Sequence, residues 1–132
     1  MIMKKLLFVL ILCFSFSLFA QQTVKISSKK CIPKKGFYLK LKSVVTDSRC
    51  PEDVTCIWAG EVSVVIEVYN NKQILEEKTI SFNTNNNNYQ ENAAWFSKFY
   101  SKKIKTIAVL PYPKSGLVVK PGEYYIFISF EE

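Results

Sequence analysis

Apolar and polar residues alternate with period two along most of the chain beyond residue 22, the pattern of half-buried β-strands. Phe37, Leu39 and Leu41 alternate with Tyr38, Lys40 and Lys42, and the run continues through Val44 and Val45. Val62, Val64, Ile66 and Val68 alternate with Ser63, Val65, Glu67 and Tyr69 in the clearest strand of all. The turn residues Asn70, Asn71 and Lys72 follow, so Ile74 to Phe82 is predicted to return as the second strand of a hairpin. Lys103 to Leu110 is a further strand, stopped by Pro111 and Pro113, which cannot donate to a ladder. The Pro121-Gly122 turn precedes a closing strand, Glu123 to Phe130, with Tyr124, Ile126, Ile128 and Phe130 on one face. Thr23 to Ser28 is expected as an edge strand.

No segment carries a sustained helical stripe. Asn85 to Asn88 is too polar to bury and reads as an exposed loop. Ala93 to Tyr100 is open between a short helical turn and an irregular strand, its aromatics covering one end of the core. Six or seven short strands with turns between them predict an all-β, antiparallel, immunoglobulin-like β-sandwich, with a small β-barrel as the alternative.

The N-terminus breaks the alternation. Lys4 and Lys5 precede an unbroken apolar run, Leu6 to Phe14, and then Ser15 to Ala20 and the polar Gln21-Gln22. A basic head, a short apolar stretch and a small residue at the cut are the marks of a secretory signal peptide. Leu6 to Ala20 is too short for the ~20 residues of a membrane-spanning helix. Residues 1–20 are therefore expected to be cleaved near Ala20, leaving one domain, 21–132, in the periplasm or secreted, with no transmembrane segment.

Cleavage alters the composition that matters. The whole chain carries 18 basic and 11 acidic side chains; without Lys4 and Lys5 the net charge falls from +7 to +5. Cys13 leaves with the leader, so the mature part keeps Cys31, Cys50 and Cys56. An oxidising compartment favours one disulfide with one thiol left over.

The distinctive motif is Asp47-Ser48-Arg49-Cys50-Pro51-Glu52-Asp53-Val54-Thr55-Cys56-Ile57-Trp58-Ala59-Gly60, set between two strong strands. Cys50 and Cys56 are predicted to close a short ring, with Pro51 pre-setting its backbone. Trp58 is expected to lay its face on the sulfurs or the adjacent core, and Gly60 to supply a backbone geometry closed to other residues. So small a loop constrains the unfolded chain modestly, and its effect is chiefly on local shape. In its Asp-Ser-Arg-Cys-Pro and Cys-Ile-Trp-Ala-Gly strings the chain resembles a group of small exported bacterial proteins of uncharacterised function. The likeness extends from about Leu39 to Phe130, taking in Leu110-Pro111-Tyr112-Pro113 and the Glu123-Tyr124 strand. It implies a single shared fold and carries no activity with it.

Composition also restricts function. The chain has no histidine, which removes His-dependent nucleophile systems and the commonest zinc ligand. No glycine-rich phosphate cradle is present. Asp47, Glu52, Asp53 and Glu61 could in principle serve carboxylate-based glycoside hydrolysis, but they read more simply as turn formers and partners of Arg49 and nearby lysines. Their spacing matches no calcium loop. No catalytic residue, metal site or cofactor is expected, and the chain is read as no enzyme.

The leading expectation is an exported, non-enzymatic binding or structural module; the alternative is an inhibitor offering the Cys50–Cys56 loop, with Arg49 and Pro51, to a protease or other enzyme. Cys31 is expected to be buried, although Lys29, Lys30, Lys34 and Lys35 would favour its thiolate if it were exposed. Those lysines, with Lys102, Lys103 and Lys105, form a candidate basic patch for an anionic surface or an envelope or extracellular protein. Lysine on strands also guards sheet edges. Export and the absence of any recognition motif argue against nucleic acid.

Overall fold

The alternating segments become six strands in a computed structural model that describes residues 1–14, 21–83, 85 and 88–132. They are β1 Thr23–Ser27, β2 Phe37–Asp47, β3 Glu61–Asn70, β4 Gln73–Asn83, β5 Ile104–Leu110 and β6 Tyr125–Phe130. β2, β3 and β4 form an antiparallel meander, and β1-β6-β5 form a second antiparallel sheet. Asn71 and Lys72 take positive φ values of 50° and 69°, the conformation that a two-residue hairpin turn demands. The strands make two separate three-stranded sheets, so the closed-barrel alternative falls.

The inward positions of both sheets meet in one core. Leu39, Leu41, Val62, Val64, Ile66, Val68 and Ile80 come from the first sheet, and Ile26, Ile104, Val109, Ile126, Ile128 and Phe130 from the second. β2 is irregular between Leu41 and Ser43 and again between Val44 and Thr46. Lys42 sits at the first irregularity and reaches Glu77 on β4 at 2.7 Å and Glu67 on β3 at 3.8 Å. Those two glutamates face each other in register, and the lysine offsets a repulsion that like charges opposite one another would create.

Between β4 and β5 the chain forms α1, Tyr89–Ser97, which resolves the helix-or-strand ambiguity there. Asn92, Trp95 and Phe96 are buried, and Phe99 packs against the same cluster, a spacing of i, i+3, i+4 and i+7 on one helical face. The Asn92 amide is tolerated inside because it donates to the Ser81 carbonyl at 2.9 Å. The asparagine run is not uniformly exposed: Asn85 is, but Asn88 is half-buried and donates to the same carbonyl. Asn86 and Asn87 lie outside the described residues.

A separate helix, Ile2–Phe14, precedes β1. Ile2, Met3 and every side chain from Leu6 to Ile11 are exposed on it, so its apolar surface is not part of the two-sheet core. Among the described residues no helix is long and apolar enough to cross a membrane. The expected cut near Ala20 falls outside the described residues.

Candidate functional site

β2 ends at Asp47, and two residues later Arg49 points the same way, as period two requires. Both turn inward. Arg49 is only 6% exposed, and a guanidinium this deep must be fully paired. Its Nε and Nη2 donate to the two Asp47 carboxylate oxygens, each at 2.8 Å. Nη1 donates to the Val109 carbonyl, Nη2 also reaches the Pro111 carbonyl at 3.3 Å, and the guanidinium lies 4.7 Å from the centre of the Tyr112 ring. The Tyr124 hydroxyl donates to Asp47 at 3.0 Å. One ion pair thus joins the end of β2 to the end of β5 and the entry of β6, across both sheets. Burial opposes ionisation of Asp47, but the bonds and charge of Arg49 and the Tyr124 hydroxyl outweigh it and hold the carboxyl below its ordinary value. Burial and the bond to Asp47 push the Tyr124 phenol up. An inhibitory role for Arg49 is corrected by this placement: the side chain faces the interior and offers nothing to a partner.

The next residue opens the ring. Cys50 and Cys56 are bonded to each other with Cα atoms 5.8 Å apart, within the range disulfides span. Inside the ring the Val54 amide closes a turn onto the Pro51 carbonyl at 3.3 Å. Outside it, the ring is fastened to the loop after β5. The Glu52 amide donates to the Pro113 carbonyl at 3.1 Å, Lys114 pairs with Glu52 at 3.2 Å, and the Ser115 amide and hydroxyl both donate to Asp53. Those two bonds hold the Asp53 carboxyl below its ordinary value. Because the ring has anchors besides its sulfurs, reduction or Cys56→Ser is expected to lower stability by only about 2 kcal/mol, checked by urea unfolding with and without reductant.

The exit from the ring reverses the expectation for Trp58. Its side chain is 82% exposed, and that of Ile57 96%. The interior beside the motif is occupied by Arg49, and the Tyr112 ring covers its guanidinium, so the indole has no place there. Gly60 turns the chain back at φ +70°, where an added Cβ would stand 2.0 Å from the Ser48 carbonyl oxygen. The Ser48 amide then donates to Glu61 O at 2.8 Å, and the Glu61 amide to Ser48 Oγ at 3.1 Å. Val54, Leu117 and Val118 are exposed as well, on the ring and just beyond the loop that clasps it.

The other candidates lie elsewhere. Cys31 is exposed, not buried, because it follows β1 in a lysine-rich connection instead of occupying a strand's inward position. The lysines do not gather into one patch. Lys29 lies against the Gly122 turn, its Cε 3.5 Å from where a Cβ there would be, whereas Lys102 bonds Gln22 and Lys103 pairs with Glu131 at 3.1 Å. The register of β1 and β5 on β6 sets these at opposite ends of that sheet. Lys34 and Lys35 precede Gly36, which exchanges bonds with Asn71, and Lys30 lines a hollow together with Tyr38. Lys105 is exposed on β5. Of the four carboxylates considered for hydrolysis, Asp47, Glu52 and Asp53 each have the local partners described above. No group of three or more metal-ligating side chains occurs among the described residues.

The features define an all-β protein of two antiparallel sheets, joined at one corner by a buried ion pair and a disulfide ring that carries exposed apolar side chains. No protein-family model, curated protein or solved structure matches the chain.

Proposed function

We propose that this chain is an exported, non-enzymatic binding module, a single immunoglobulin-like sandwich after loss of residues 1–20, which engages a partner through the corner at Ile57 and Trp58. The observation that carries this reading is the near-complete exposure of both side chains on a base held by a disulfide, an ion pair and the bonds to Pro113 and Ser115. A clasp that served stability alone would gain by burying the indole. A large aromatic presented in water on a braced loop instead spares the backbone much of the ordering that docking costs, a feature of interface anchors. Export is supported by the leader's residue pattern and is compatible with the disulfide. The inhibitor alternative keeps a physical basis in the exposed ring exit, with Ile57 and Trp58 as its contact residues.

Trp58→Ala is expected to change stability by no more than about 0.5 kcal/mol, because the side chain leaves solvent-facing space and not a cavity. The same substitution should abolish adducts formed in the native envelope by a photo-reactive residue at position 57, and reduction should weaken them. A Trp58→Ala variant that melts markedly earlier would return this residue to a packing role. Adducts indifferent to it would overturn the proposed docking corner.

A further inference from the structure

Away from that corner, β1 is the outer strand of one sheet and β2 the outer strand of the other, and a groove runs along the side they share. Phe37, Tyr38, Phe99 and Tyr100 line a cavity of about 230 Å³ there, with Lys30 at its rim. A second hollow, about 550 Å³, continues from it through Val24 and Tyr100 to Lys102. Among the described residues neither lining contains an aspartate or glutamate. Lys102 bonds a neutral amide, that of Gln22, and forms no ion pair among the described residues. Lys25, also at the rim, is engaged with the Tyr125 ring at 5.1 Å.

The aromatic walls are fixed. Phe37 lies 6.0 Å from Phe99, and Tyr100 lies 5.4 Å from Phe130, each pair tilted at 58°. The Tyr38 and Tyr100 hydroxyls have no hydrogen-bond partner among the described residues, and no side-chain polar atom there is both buried and unpaired; both therefore open to solvent in the groove. Burial pushes the Tyr100 phenol up to about 12, and burial, with Cys31 nearby, raises Tyr38, so both remain donors at neutral pH.

Fixed rings, two open phenols and cations without carboxylates suit a ligand that has apolar faces, many hydroxyls and negative charge. We propose that this groove binds an acidic oligosaccharide, stacking its sugar faces on the aromatic wall, bonding its hydroxyls to Tyr38 and Tyr100, and pairing its carboxylates or sulfates with Lys30 and Lys102. A lipid surface fits less well: Phe37 is exposed, but Tyr38, Phe99 and Tyr100 beside it are recessed, and membrane anchors protrude as a group. Single-stranded nucleic acid stacks its bases on several successive open rings, and the exposed ring of this wall is that of Phe37.

The test is calorimetric titration of the full chain with short oligogalacturonates, dextran sulfate, neutral dextran, phosphatidylglycerol vesicles and oligothymidylate. One or both charged sugars should bind, and neutral dextran should not. The double variant Tyr38→Phe/Tyr100→Phe keeps the rings and should weaken binding about ten-fold. Lys30→Gln/Lys102→Gln alters only surface side chains, should weaken binding comparably, and should flatten its dependence on salt. Failure of both charged sugars to bind, equal binding of neutral dextran, tighter binding of vesicles or oligothymidylate that either double variant weakens, or indifference of sugar binding to both double variants would each overturn the proposal.

Discussion

Arg49→Met is expected to lower the free energy of unfolding by about 3–5 kcal/mol at pH 7, the cost of leaving one partner of a buried ion pair alone. Methionine fills much of the space, so the loss is electrostatic. Asp47 keeps the Tyr124 hydroxyl and the backbone amide of residue 49 but loses its countercharge, and the Val109 and Pro111 carbonyls lose their guanidinium donors. Asp47→Asn/Arg49→Met should recover part of the loss, because the stranded charge is gone. Urea unfolding of the three proteins checks this, and a single-variant cost below about 1 kcal/mol would mean that the pair is solvated in practice.

The same pair sets a pH signature. In the native protein the Asp47 carboxyl titrates below its ordinary value. Its contribution is therefore complete above the unfolded aspartate pKa of about 3.9 and disappears as pH falls through the lower folded value. In Arg49→Met burial acts without the guanidinium, the folded pKa rises, and the sign reverses. The variant's penalty is full at neutral pH and shrinks on acidification. The gap between the two proteins should be smaller at about pH 3 than at pH 7; a gap that widened would place the stranded charge elsewhere.

Gly60→Ala is the second large effect, expected to cost at least about 3 kcal/mol or to prevent folding. The left-handed φ alone costs about 1 kcal/mol with a side chain, and the added methyl would stand 2.0 Å from Ser48 O. Relief requires opening the corner and losing both Ser48–Glu61 bonds. Gly36→Ala and Gly116→Ala are the controls. Each has positive φ but nothing within 4 Å of the added atom, so each should cost only about 1 kcal/mol. Thermal melts of the three variants separate backbone strain from steric overlap.

The strands were legible because alternation has one physical meaning here, a face toward the core. The order of the strands within the two sheets was not, since no local pattern says that β1 pairs with the last strand of the chain. The short helix escaped because its inward stripe begins with Asn92, a polar residue made acceptable by one carbonyl of β4. The motif's cysteines were readable from compartment and spacing. Its arginine was not, because charge next to a disulfide loop suggested a solvent-facing side chain. The D-x-R spacing at a strand end held the missing signal, as two residues apart means one face. Trp58 failed for the opposite reason: size argued for burial, and only the packed corner reveals that the space is taken.

The Lys42 bridge to Glu67 and Glu77 has a bearing on how these molecules meet each other. β4 is an outer strand, and its first five residues, Gln73 to Glu77, are all exposed. A foreign backbone seeking to extend that sheet would meet Glu76 and Glu77 on alternate faces of the strand, the second of them held by Lys42. Charged side chains on both faces of this rim make the addition of a further strand costly, so that Ile74 and Leu75 stand in water on an edge guarded by its neighbours.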